Sequence, residues 1–112
     1  MVKHGEVKRL LDSHGFDGLR ESLGDESFRF KITAVHQDRG VRVVISAPNA
    51  FRRHQAGYGK PLNRRLVLVE LLDGACRKIP GARSPVPVNR LCEIERVLRA
   101  VANGAYSHNM SN

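Results

Sequence analysis

The chain has 112 residues, of which 41% are hydrophobic and 27% are charged, and its formal net charge is +8 at pH 7. This size and balance predict one globular domain with a single core, and they exclude a fibrous or wholly disordered chain. The longest apolar run, residues 66–69, is too short for a membrane span, and no apolar signal segment opens the chain, so we expect a cytoplasmic protein without membrane contact.

The first part of the chain has helical spacing. Residues 5–14 place apolar side chains three and four positions apart, and the glycine that follows them is suited to ending a helix. Asp17 is a common helix-capping residue, and Leu19, Leu23 and Gly24 after it predict a second, short helix.

From residue 28 the apolar period changes to two, which predicts a strand with one buried face. A turn at residues 37–40 and a second alternating run at residues 41–46 complete a β-hairpin. The run at residues 65–72 is rich in Leu and Val and fits a third strand or a buried helix, and its short length and the turn residues Asp73 and Gly74 after it favour the strand. The residues expected in the core of the sheet are Phe28, Phe30, Ile32, Val43 and Ile45.

The last part of the chain contains a connection and a helix. Residues 75–88 hold three prolines and predict an irregular connection. Asn89 is a suitable cap for a final helix that ends near Gly104, with an apolar stripe formed by Leu91, Ile94, Leu98 and Val101. This stripe either covers the sheet or pairs with a second copy of the chain, so the sequence fits both a monomer and a homodimer.

These elements predict a small two-layer α+β domain. Their order is one helix, a short second helix, three strands and a final helix, and the three-stranded antiparallel sheet packs on the helices. The single domain is expected to cover residues 1–104, and residues 105–112 form a polar C-terminal tail.

The positive charge is concentrated in the middle of the chain. Residues 39–92 hold eleven Lys and Arg against two acidic residues, whereas residues 1–38 carry −1 and residues 93–112 carry no net charge. No acidic residue occurs between Asp38 and Glu70. Because clustered like charges repel one another, this pattern favours a negatively charged partner over a solvated basic face that only keeps the protein soluble.

The segment 51–65 combines the residue types of a nucleic-acid contact. Arginine pairs with phosphate in a bidentate geometry, glycine lets the backbone approach an anion, and aromatic rings stack on unpaired bases. The basic residues of the hairpin are expected to extend this surface, unless the two aromatic residues anchor the segment on the core instead. The predicted contact residues are Arg29, Lys31, Arg42, Phe51, Arg52, Arg53, Tyr58, Lys60, Arg64 and Arg65.

Several kinds of site are not expected. The sequence around Gly57 and Gly59 lacks the further glycine and the Ser or Thr of a P-loop, so no nucleotide cofactor is predicted. The five histidines show no metal-ligand spacing, and the two cysteines do not form a CxxC pair.

The sequence therefore predicts a non-catalytic nucleic-acid-binding protein. RNA is favoured over DNA because no helix-turn-helix or ribbon motif is visible. The alternative from another class is a protein-interaction module, an inhibitor or adaptor that docks an acidic protein. A third hypothesis is a small metal-independent ribonuclease in which His36 and His54 exchange protons with RNA.

Overall fold

The computed structural model describes residues 2–24, 28–49, 66–82 and 85–106. Within these ranges the chain forms two helices and one antiparallel sheet of five strands, so the predicted α+β class is confirmed. The elements in chain order are α1 (His4–Ser13), β1 (Asp17–Leu23), β2 (Phe28–His36), β3 (Val41–Pro48), β4 (Val67–Asp73), β5 (Val86–Val88) and α2 (Leu91–Ala102).

The order of the strands in the sheet is their order in the chain. Ile32 of β2 lies opposite Ile45 of β3, which in turn lies opposite Val69 of β4. All three side chains are fully buried, and they belong to one apolar cluster with residues of both helices. The predicted hairpin and third strand are thus confirmed, and the core lies between one face of the sheet and the helices.

The apolar stripe of α2 faces this core. Ile94, Leu98 and Val101 are fully buried, and Leu91 and Val97 pack beside them. The helix begins at Leu91 and its N-cap is Arg90, one residue later than the predicted cap, Asn89. Because the stripe covers the sheet within one chain, its buried residues are not available to a second copy.

The prediction of a helix after Asp17 is wrong, since these residues form strand β1. The spacing of Leu19 and Leu23 is four residues, which places two side chains on one face of a helix and equally on one face of a strand. Gly18 has a φ of +64°, and the pairing register shifts between Asp17 and Arg20. A β-bulge at this glycine therefore begins an edge strand where the sequence has the pattern of a helix start.

Besides β1, the prediction of a three-stranded sheet also missed strand β5. Residues 86–88 form β5, which pairs with the start of β4, and Pro87 lies opposite Leu68. Proline cannot donate a hydrogen bond to a ladder, and for this reason it is tolerated mainly on edge strands such as this one. The prolines of the segment mark an edge rather than the absence of a strand.

Phe28 is not a core residue, contrary to the prediction. The register between β2 and β3 shifts between Phe28 and Phe30, and Phe28 pairs with Pro48. Its ring is half-buried and lies 5.7 Å, measured from the ring centroid, from the ammonium group of Lys31. The bulge thus turns Phe28 to the face of the sheet that lies opposite the core.

An ionic cluster joins α1 to β1. Lys8 Nζ lies 3.0 Å from Glu21 Oε1, and His4 Nδ1 lies 2.7 Å from Glu21 Oε2. The hydrogen bond from Lys8, together with the charges of Lys8 and His4, lowers the pKa of Glu21 below its ordinary value of 4.5 and outweighs the opposing effect of desolvation. The ionised carboxylate is therefore the form that the fold favours.

Glu21→Gln should make the protein less sensitive to acid. A carboxyl with a lowered pKa in the folded state adds stability above its unfolded pKa, and this contribution is lost as the pH falls through the folded value. Urea unfolding between about pH 2 and pH 6 should show that the free energy of unfolding falls more steeply with decreasing pH in the native protein than in Glu21→Gln. Asp12→Asn, at an exposed position of α1, is the control, and equal slopes for native protein and Glu21→Gln would contradict the prediction.

Arg39 closes the C-terminal end of α2. Its Nε donates a hydrogen bond to the carbonyl oxygen of Ala102 at 3.0 Å. Gly104 follows with a φ of +90°, and a Cβ at that position would lie only 3.2 Å from Arg39 Nη1. One of the cations of the acid-poor middle of the chain therefore has a structural role, since it satisfies a carbonyl that the helix leaves without a partner.

Arg39→Met should lower the free energy of unfolding by about 1–2 kcal/mol, because a partly buried hydrogen bond from a charged group is lost while the aliphatic volume is kept. Arg96→Met removes an exposed arginine of α2 and should change stability by less than about 0.5 kcal/mol. Urea unfolding of both variants tests the difference, and equal losses would show that the contact to Ala102 adds no stability.

Candidate nucleic-acid interface

The sheet has a second face, opposite the core, against which neither α1 nor α2 packs. Side chains on a strand alternate between its two faces, so the residues between the buried ones point to this side. We call it the outer face. It comprises Asp17, Arg20, Ser22, Lys31, Thr33, Val35, Arg42, Val44, Ser46, Leu68, Glu70, Leu72 and Pro87, of which Ser46 is buried.

The outer face is ordered in three rows that run across the strands. One row joins Ser22, Lys31, Ser46, Leu68 and Pro87. The next joins Arg20, Thr33, Val44 and Glu70. The third joins Asp17, Val35, Arg42 and Leu72. Each row contributes one cation, and the second and third rows each also contain one acidic residue, Glu70 and Asp17.

Two of the three cations, Arg20 and Lys31, lie on the two strands nearest the β1 edge, and Arg42 lies on the central strand. Lys31 is opposite Ser22, two residues from Arg20, so Lys31 and Arg20 are diagonal neighbours with a separation of about 7–8 Å. Arg42 lies one strand further, in the third row. Among the residues that the structure describes, no carboxylate oxygen approaches Arg20, Lys31 or Arg42 within 4.0 Å.

Two of the three predicted contact residues on the hairpin share this face. Lys31 is exposed, and Arg42 is half-buried with its Nε enclosed. The guanidinium carbon of Arg29 lies instead against the ring of the core residue Phe30, 5.6 Å from its centroid. Arg29 occupies the register shift of β2, and it is therefore not grouped with Lys31 and Arg42.

The other predicted contact residues lie outside the described residues, as do residues 107–112 of the predicted tail. They are Phe51, Arg52, Arg53, Tyr58, Lys60, Arg64 and Arg65. The segment that carries them leaves the sheet after β3 and returns to it before β4. Because Ser46 lies opposite both Lys31 and Leu68, both attachment points belong to the Lys31 end of the sheet.

Sequence reasoning missed Arg20 and Phe28 as members of this surface. Arg20 was hidden by the predicted helix, although Arg20 and Ser22 alternate with Glu21 and Leu23 as in a strand. The ring of Phe28 and the side chain of Lys31 line a pocket of about 220 Å³ with Ser22, Leu23 and Gly24. An aromatic ring and a cation therefore share one concave site at the Lys31 end of the outer face.

His36 lies on the core side of the sheet. Its side chain is only 8% exposed, and its ring packs edge-on against Phe16 with 5.2 Å between the centroids. This position separates the imidazole from a phosphate bound on the outer face. The described residues give no geometric support to the hypothesis of RNA cleavage by His36.

The described ranges lack the features of a metal site and of a membrane-spanning helix. No group of three His, Cys, Asp or Glu side chains there has the geometry to hold a metal ion. None of the helices there is both long enough and apolar enough to cross a membrane.

No family model, no curated protein and no solved structure matches the chain. Function is therefore inferred from the outer face and from the charge pattern of the sequence.

Proposed function

We propose that this protein is a non-catalytic nucleic-acid-binding module whose outer face contacts the phosphates of a single-stranded polymer, with RNA favoured over DNA. The observation that carries the proposal is the placement of Arg20, Lys31 and Arg42 on one face of the sheet, without carboxylate partners among the described residues. The basic segment 51–65 is attached at one end of the same face.

The charges of the described cations support this assignment. Lys8, Arg77 and Arg99 each lie within 3.5 Å of a carboxylate oxygen, so their charge is balanced within the fold. Among the described residues, no carboxylate oxygen lies within 4.0 Å of the cations of the outer face, and the sequence of segment 51–65 adds five Lys and Arg and no acidic residue. A polyanion would relieve this repulsion.

The shape of the outer face favours a single strand over a duplex. Sheet surfaces bind unpaired nucleotides by stacking bases on aromatic rings while cations contact the backbone. Phe28 and Lys31 lie side by side in one pocket, so the base and a phosphate of neighbouring nucleotides can be contacted together. Phe51 and Tyr58 of the basic segment are further candidates for such stacking.

An acidic protein is the second candidate partner. The outer face carries Val35, Val44, Leu68 and Leu72 between its charged residues, and all four are half-buried. Aliphatic side chains of this kind offer a protein partner an apolar contact that a phosphate backbone does not use. A stoichiometric complex that survives nuclease treatment would identify this class of partner.

Arg20→Glu combined with Lys31→Glu should weaken binding to single-stranded RNA at least about tenfold and flatten its salt dependence. Losing two phosphate contacts on a single strand lowers the slope of log K against log salt concentration by about 1.4. Fluorescence anisotropy with labelled single- and double-stranded RNA and DNA, recorded across a salt series, measures both effects.

The matched control is Arg9→Glu combined with Arg96→Glu, which changes the net charge equally at exposed positions of the helices. This variant should stay within about threefold of the native affinity, because its charges lie outside the contact surface. Equal weakening by both pairs would contradict binding at the outer face. If none of the four polymers bound the native protein at low salt, nucleic-acid binding itself would be excluded.

Phe28→Leu should weaken binding to single-stranded RNA by about 1–3 kcal/mol, since base stacking on the ring is lost. The salt slope should stay unchanged because no cation is removed. Tyr106→Leu, which removes an aromatic ring that packs against the core and not on the outer face, serves as the control and should leave the affinity unchanged. An unchanged affinity in Phe28→Leu would show that the ring does not take part in binding.

A further inference from the structure

Strand β1 forms one edge of the sheet, and no described strand pairs with its outer side. Six of its seven residues are exposed. The N–H of Gly24 donates to the carbonyl oxygen of Arg29 on β2, at 3.0 Å. Because hydrogen-bonded and non-bonded positions alternate in the regular register that begins at Arg20, Glu21 and Leu23 direct their backbone groups outward. This row of donors and acceptors is a template for another strand.

The opposite edge of the sheet is protected against such pairing. Strand β5 has only three residues, and Pro87 is its middle one, preceded by Pro85 just before the strand. Prolines and short length are two devices that prevent an edge strand from recruiting a partner. Strand β1 has seven residues and no proline, so only one of the two edges has this protection.

The unprotected edge also carries exposed apolar side chains. Leu19 is 38% exposed and Leu23 is 56% exposed, and they are the large hydrophobic residues that the described part of the chain exposes. They flank Glu21 at equal distances in the sequence, in the order Leu-Arg-Glu-Ser-Leu. A two-fold axis at Glu21 would therefore place an apolar pair on each side of the axis.

We infer that β1 pairs in antiparallel orientation with β1 of a second copy of this chain, about a two-fold axis at Glu21. In this register Leu19 lies opposite Leu23 of the partner subunit. The two-fold axis repeats this contact, so one pair of leucines forms on each side of the axis. The outward backbone groups of Glu21 and Leu23 then face the partner strand. The dimer requires no nucleic acid.

The charges favour the register centred on Glu21 over the register centred on Arg20. Arg20 faces Ser22 of the partner subunit, so no two arginines are opposed. The two Glu21 carboxylates approach at the axis, but each already lies within 3.0 Å of its own Lys8 and His4. A register centred on Arg20 would instead oppose the two Arg20 side chains and place Leu19 against a carboxylate, and like charges directly opposite are destabilising.

The same geometry limits the assembly to two copies. The register of β1 shifts between Asp17 and Arg20, so its regular pairing begins at Arg20 and the ladder that it can share is short. A two-fold axis uses the same edge of both copies, and the remaining edges are the proline-protected β5 strands. Because the contact is small, the dimer should be weak, with a Kd on the order of 10 µM.

Sedimentation velocity of the full chain, from about 1 to 500 µM, tests the inference. The native protein should shift from monomer to dimer across this range. Leu19→Lys combined with Leu23→Lys should stay monomeric, since the register opposes like charges. Leu19→Glu combined with Leu23→Lys should still dimerise, since the same register opposes unlike charges across the two-fold axis. Ala75→Lys combined with Ala105→Lys adds two charges at exposed positions outside β1 and should behave like the native protein.

A native protein that remains monomeric throughout this range would overturn the inference. An undiminished dimer in the Leu19→Lys and Leu23→Lys pair would overturn it as well, because the contact would then lie elsewhere. Equal behaviour of the two leucine double variants would overturn the register. Since all these positions are exposed, circular dichroism should show native folding in each variant.

Discussion

Burial of one face of the sheet is the constraint on which the rest of the structure depends. Ile32, Ile45 and Val69 lie in register on three strands, and the apolar stripes of α1 and α2 cover them. Because strand side chains alternate, this burial turns Lys31 and Arg42 to the outer face. A slip of one residue would bury the cations and expose the core, so the position of the charged surface follows from the packing of the apolar one.

The regular elements could be predicted from the sequence because their periods are unambiguous. The alternation that starts at residue 28 and resumes at residue 41 fits only a hairpin, and the spacing of Ile94, Leu98 and Val101 fits only a helix. The grouping of Lys31 with Arg42 on one face follows from the same alternation. These parts of the fold and of the candidate surface depend on local patterns that one sequence contains.

The remaining parts depend on backbone features that leave weak traces in one sequence. The i, i+4 spacing of Leu19 and Leu23 suits a helix and a strand equally, and the bulge at Gly18 decides between them. A second bulge moves Phe28 out of the predicted core. The positions of Arg20 and Phe28 on the outer face therefore depend on the strand pairing and not on the local sequence pattern. Arg39 likewise belongs to the basic middle of the sequence, but its contact with the end of α2 depends on tertiary packing.

The outer face and the β1 edge are neighbouring parts of one sheet, so a dimer through β1 would bring two copies of Arg20 and Lys31 onto a continuous surface. Binding by the outer face is the central claim, and backbone amide chemical shifts recorded during titration with a short single-stranded RNA test it most directly. If this face binds the polymer, the largest shifts should fall on the amides around Arg20, Lys31 and Arg42, while those of α1 and α2 remain nearly unchanged. Shifts confined to the helices, or no shifts at low salt, would contradict nucleic-acid binding by this face.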